Sequence, residues 1–103
     1  MRRVRLLASA RDDLAAIGDD IQQASGSRQV AARFVRQLND HCRSLGRLPG
    51  MLDRPRPDLL PGIRSTPHGS YIIFFRYLPD AVEIVNVIEA HRDIPVLFRR
   101  NEH

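Results

Sequence analysis

The sequence predicts an α+β domain in which a helical hairpin packs on an antiparallel sheet, with the order β-α-α-β-β-β. Three observations carry this reading. Apolar residues between positions 10 and 48 recur at three- and four-residue spacing, broken once by Ser25-Gly26-Ser27, as two amphipathic helices on a short link would be. Between 62 and 90, β-branched and aromatic residues alternate with period two, the pattern of half-buried strands. A chain of 103 residues with 43% apolar content has room for one core, so 1–103 reads as a single domain.

Arg3 to Ala8 form the first strand candidate, with Val4, Leu6 and Ala8 on one face. Ser9 is positioned to cap the first helix, with Asp12 three residues later completing a capping-box pattern. Ala10, Leu14, Ile17, Ile21 and Ala24 make its apolar stripe, and Gly26 can take the left-handed conformation that ends it. Ser27 caps the second helix, whose stripe is Val30, Phe34, Leu38, Cys42, Leu45 and Leu48, with Pro49-Gly50 as the stop. So short a link makes the two helices antiparallel.

Met51 to Pro61, with Pro55, Pro57 and Pro61 among alternating charges, reads as an extended surface loop. Strands follow at about 62–67, 70–78 and 82–90, joined by turns at His68-Gly69 and Pro79-Asp80. In the middle strand Tyr71, Ile73, Phe75 and Tyr77 share one face, and Ile72, Phe74 and Arg76 the other. In the last strand Val85 and Val87 are expected to oppose Ile84 and Ile88. Ile94, Leu97 and Phe98 in the tail 93–100 can dock back on the core. One sheet face meets the helices, and the other is available as an open binding surface.

Composition narrows the chemistry. The formal charge of +4 favours an acidic partner, either nucleic acid or an acidic protein segment. All sixteen basic residues are arginine, which removes every mechanism that needs a lysine base, Schiff base or phosphate clamp. The lone Cys42 falls on an apolar stripe and reads as a small buried hydrophobe, in keeping with a reducing, cytoplasmic setting. No apolar run approaches a membrane span, and Arg11, Asp12 and Asp13 follow too soon for a signal peptide. His41 and His68 have no metal-ligand company, so neither a metal nor another cofactor is expected.

The ordered segments A-R-D-D-L-A-A-I, V-A-A-R-F-V-R-Q-L and C-R-S-L-G-R-L-P-G, then L-L-P-G-I-R-S-T-P-H-G-S-Y-I-I-F-F-R-Y, V-E-I-V-N-V-I-E-A-H-R-D-I and V-L-F, span nearly the whole chain. Together they resemble a ParE-type toxin of the ParE/RelE superfamily, the toxic half of type II toxin–antitoxin pairs. The resemblance implies a bacterial toxin that inhibits DNA gyrase and hence replication, acting by binding rather than as an enzyme. It implies a cognate ParD-like antitoxin, a ribbon-helix-helix protein with a flexible acidic tail, in a hetero-oligomer that meets DNA only through the antitoxin or gyrase, with no membrane role.

RelE-like relatives instead cleave messenger RNA on the ribosome, and fold alone does not choose between the two activities. RelE-like enzymes use lysines, arginines and a terminal tyrosine; this chain has no lysine and carries Phe98 where that tyrosine is expected. His91 with Arg64 and Arg76 is the remaining acid/base and clamp arrangement, and a structural role for His91 at a strand corner is the alternative. The antitoxin is expected on Leu14, Ile17, Phe34 and Leu38 of the hairpin, with carboxylates on Arg64 and Arg76; internal pairs of these arginines with Glu83 or Glu89 are the alternative. Arg64, Tyr71, Arg76, His91 and Arg92 are the candidates for target contact, and no residue is assigned a catalytic role.

Overall fold

A computed structural model describes residues 2–47, the backbone of 54–55, and 62–91. Its elements are β1 (Arg3–Leu6), α1 (Ala8–Ser25), α2 (Arg28–Ser44), β2 (Arg54–Pro55), β3 (Arg64–His68), β4 (Tyr71–Tyr77) and β5 (Ala81–Glu89). The expected α+β class holds, while the expected order β-α-α-β-β-β gains one short strand, β2, and the sheet expected to be antiparallel has one parallel pair. The sheet has the order β1-β5-β4-β3-β2 and is mixed: β3, β4 and β5 form an antiparallel meander, whereas β1 pairs with β5 in parallel. The meander returns β5 beside β1 running in the same direction, and the two-helix crossover is long enough to allow that pairing. Residues 54–55, expected in a loop, instead add a two-residue edge strand to β3, the place where a sheet tolerates proline. The remainder of the predicted loop, Leu48 with Pro49-Gly50, and the tail 93–100 with Ile94, Leu97 and Phe98 lie outside the described residues.

The helices lie on one sheet face. Ala10, Leu14 and Ile17 of α1, and Leu38, Cys42 and Leu45 in and just after α2, are buried with Ile73, Phe75, Val82, Ile84 and Val87. Gly26 ends α1 at φ 71°, and Ser27 caps α2 by accepting the Val30 amide at 3.2 Å. Two stripe assignments need correction. Val30 is exposed and Ala31 takes the buried position, one residue round the helix, and Ala24 is exposed in the last turn of α1. The far face is not open at its centre: Ile63, Phe74 and Ile88 are buried there, beside Ile72 and Val85.

A β-bulge explains how α1 is held. Phe74 pairs with Asn86 and Phe75 with Ile84, so Val85 has no partner on β4. The extra residue shifts the alternation, placing Val87 with Ile84 under the helices and Val85 with Ile88 on the far face. The bulge also frees polar groups that α1 satisfies. Ser9 does not cap the helix: Leu7 holds the N-cap position, and the Ser9 hydroxyl donates to the Val85 carbonyl. Four residues on and on the same helix face, Asp13 accepts the Val87 amide and the Asn86 side-chain amide, both at 2.9 Å. Burial raises the Asp13 pKa against these two hydrogen bonds.

Gly46 fixes the start of β1. The Arg2 amide donates to its carbonyl at 3.0 Å, and a Cβ there would lie 2.5 Å from the Arg2 carbonyl oxygen and 2.8 Å from Val4 Cγ2. The glycine is required by close backbone approach rather than by an unusual φ.

Candidate functional site

A groove of about 1090 Å³ opens where the β1 edge meets the helical hairpin. Val4 and Leu6 of β1, with Leu7 and Leu14, supply apolar lining from one side, and Ala32 and Val35 from α2 supply it from the other. Arg5, Arg11, Arg36 and Arg43 stand around it, with Asp12 and Asn39 as the other polar groups. Arg36 and Arg43 are seven residues apart, two turns of α2, and so project from one helix face. A shallower depression lined by Ala15, Gly18 and Ala31 continues between the helices and shares Leu14, Ala32 and Val35 with the groove.

β1 is a terminal strand of the sheet, so one of its edges faces away from β5. The amides of Arg3 and Leu7 donate toward β5, to the Asp80 and Ile84 carbonyls. By strand alternation the backbone groups of Val4 and Leu6 point to the outer edge. Gly46 closes that edge at Arg2, which leaves the Val4–Leu6 stretch beside the groove. Among the described residues no strand pairs with this outer edge, and an edge beside an apolar trough with a cationic rim suits an extended segment carrying apolar residues and carboxylates.

The predicted site residues do not converge. Leu14, Ile17 and Leu38 are 7%, 6% and 0% exposed, and pack against the sheet; only Leu14 also borders the groove. Phe34 lies on another side of α2, with ring centroids 5.5 Å from Tyr71 and 5.8 Å from His68. Burial, then the charges of Glu89 and Asp20, raises the Tyr71 pKa, so its hydroxyl is a poor proton donor there.

Arg64 and Arg76 occupy opposite faces of the sheet. Arg64 pairs in register with Phe75 on the helix face, and its guanidinium lies 5.5 Å from the Tyr77 ring centroid, with that of Arg2 at 4.7 Å. Arg76 donates through Nε to Glu83 at 2.7 Å, and Arg5 grips the same carboxylate from β1. Glu83 is 5% exposed, and the Arg76 hydrogen bond, opposed by burial and aided by Arg5, holds its carboxyl below the usual range. His91 is exposed beyond the end of β5. Arg64 is level with Phe75 and Glu89 with Tyr71, so about 13 Å of strand separates Arg64 from the last residue of β5. The described residues therefore do not bring His91, Arg64 and Arg76 together as an acid/base and clamp. Arg92 lies outside the described residues.

Cys42 is buried with its thiol pKa pushed up to about 11 by desolvation, which makes it inert, as its place on the stripe predicted. Among the described residues no cluster of three or more metal-ligating side chains occurs, and no helix is long and apolar enough to cross a membrane. Sequence reasoning missed the rim residues Arg11, Arg36 and Arg43 as a group. The seven-residue spacing of Arg36 and Arg43 on α2 was visible, but their partnership with Arg11 of α1 and with β1 was not.

Residues 4–94 match the family described as the ParE toxin of the type II toxin–antitoxin system parDE. The chain belongs to the ParE toxin family. Its fold is similar to a solved chain of the chromosomal ParDE toxin–antitoxin system from P. aeruginosa, with a TM-score of 0.76 at 20% identity over 88% of this chain and 98% of that one. It is also similar to a chain of the RelBE2 toxin–antitoxin complex from Mycobacterium tuberculosis, with a TM-score of 0.63 at 22% identity over 85% and 90%. No curated protein matches by sequence. The chain is thus a ParE-family member of the type II toxin–antitoxin systems, and its fold is shared with a RelBE2 chain.

Proposed function

We propose that this toxin inhibits DNA gyrase by binding and is silenced by a ParD-like antitoxin whose acidic, partly apolar segment occupies the groove between β1 and α2. The observation that carries the antitoxin half is the groove itself: a strand edge with no partner among the described residues, an apolar floor and flanking guanidinium groups on one surface. Backbone pairing along Val4–Leu6 supplies affinity, apolar side chains fill the space against Leu7, Ala32 and Val35, and carboxylates meet Arg11, Arg36 and Arg43. Arg5 is already engaged by Glu83 and contributes less. This surface replaces the expected one, because Ile17 and Leu38 are spent in the core and Arg76 on Glu83.

Gyrase as target rests on family membership, and the chain's own chemistry is consistent with inhibition by binding. It lacks lysine, and its cysteine is buried. Supercoiling by purified gyrase in the presence of this chain tests the reading, with cleaved-DNA complexes trapped by detergent as a second readout. Inhibition with trapped cleavage is expected, reversed by the product of the neighbouring antitoxin gene. Undisturbed supercoiling with new message ends in primer extension would assign the RelE-like ribosome-dependent messenger RNA endoribonuclease activity instead.

A further inference from the structure

We propose that His41 and His68 form a latch sharing one proton, which ties α2 to the β3–β4 hairpin at neutral pH and releases when both rings are charged. The Nδ1 atoms of the two rings are 2.8 Å apart. Two bare lone pairs or two N–H groups would repel at that distance, so one ring must donate and the other accept. The neutral pair therefore needs one ring as the Nδ1–H tautomer and the other with Nδ1 unprotonated.

Phe34 packs against His68 and against Tyr71, the ladder partner of His68, and the centroids of the two imidazoles are 5.0 Å apart. Glu89 from β5 and Asp20 from α1 act on the Tyr71 hydroxyl, and Asp40 and Arg43 flank His41 along α2. What governs His41 is burial, then His68, and both lower its pKa. Folded His41 thus binds less of a proton than a free imidazole at mildly acid pH. Because the unfolded chain takes up more, stability falls as pH drops below the ordinary histidine value of about 6.5, by at most about tenfold in the folding constant per pH unit for one proton.

The consequence reaches the groove through α2. Phe34 and His41 face the hairpin, while Val35, Arg36, Asn39 and Arg43 of the same helix form the groove wall. Opening the latch loosens the element that carries that wall.

The test uses the full chain, with ¹⁵N-detected imidazole spectra at pH 8 and urea unfolding from pH 8 to 5 for the wild type, His41→Gln and His68→Gln. The expected result is one Nδ1–H tautomer in the pair, and a loss of wild-type stability below pH 6.5 that is flatter in both variants by up to tenfold per pH unit. Parallel pH profiles for all three proteins, or two rings both protonated at Nε2, would overturn the proposal. If either variant fails to fold, the tautomers and titration of the wild-type pair decide the matter alone.

Discussion

Removing the Asp13 carboxylate tests whether α1 is held by the bulge in β5. Its Oδ2 accepts both the Val87 amide and the Asn86 side-chain amide, and those residues are 3% and 1% exposed. In Asp13→Ala two buried donors lose their acceptor at once, and each unsatisfied donor costs about 1–3 kcal/mol. Partial hydration and the relief of burying a carboxylate offset some of this, so a net loss of about 2–4 kcal/mol is expected, a large share of the roughly 5–15 kcal/mol of a small domain. At about 4–8 °C per kcal/mol, the melting temperature should fall by at least about 8 °C. Asp13→Asn retains an acceptor oxygen and should lose about 1 kcal/mol. Asp12→Ala, one residue away and exposed, should stay within about 0.5 kcal/mol of the wild type. Urea unfolding at pH 7 measures all three, and equal midpoints for Asp13→Ala and Asp12→Ala would refute this role for the bulge.

Other perturbations probe the remaining joints. Gly46→Ala drives a Cβ into the Arg2 carbonyl and should cost about 1–3 kcal/mol, whereas Gly18→Ala meets only the Val35 side chain at 3.3 Å and should cost less; thermal melts compare them. Glu83→Gln should cost about 1–2 kcal/mol at pH 7, between the values for exposed and buried pairs, because its arginines are about half exposed. The folded pKa of Glu83 is depressed, so this stabilisation is complete above the unfolded value of about 4.3 and is lost as pH falls through the folded one. Wild type and Glu83→Gln should therefore converge in stability at acid pH, and a gap that persists to pH 2 would contradict the pairing. Arg36→Glu with Arg43→Glu should weaken antitoxin binding at least tenfold while leaving the fold intact, as titration calorimetry and circular dichroism would show; Arg33→Glu, also on α2 but outside the groove, serves as the control.

The elements were legible because their signals are local. Apolar spacing located α1 and α2, Ser27 and Gly26 marked the break between them, and alternation placed Ile73 and Phe75 on one face and Phe74 on the other. What stayed hidden depends on register and pairing. A bulge adds one residue without disturbing composition, so Val87 was assigned to the wrong face and Ser9 was taken for a cap when its hydroxyl serves Val85. Arg64 and Arg76 look equivalent along the chain, and only the ladder partners Phe75 and Glu83 reveal that they occupy opposite faces. The groove was illegible for the same reason: β1 and the middle of α2 are about 30 residues apart, and no local pattern records that they face one another. The stripe residues Leu14, Ile17 and Leu38 were chosen for the antitoxin by their apolarity, the property that buries them in the core.

The effect of this chain on purified gyrase tests the proposed target most directly. Relaxed plasmid, gyrase and ATP incubated with increasing amounts of the chain should show progressive loss of supercoiling and accumulation of protein-linked cleaved DNA. Added antitoxin should abolish both effects, and toxin carrying Arg36→Glu with Arg43→Glu should resist that rescue. Full supercoiling at a large molar excess of the folded chain would contradict the proposed target.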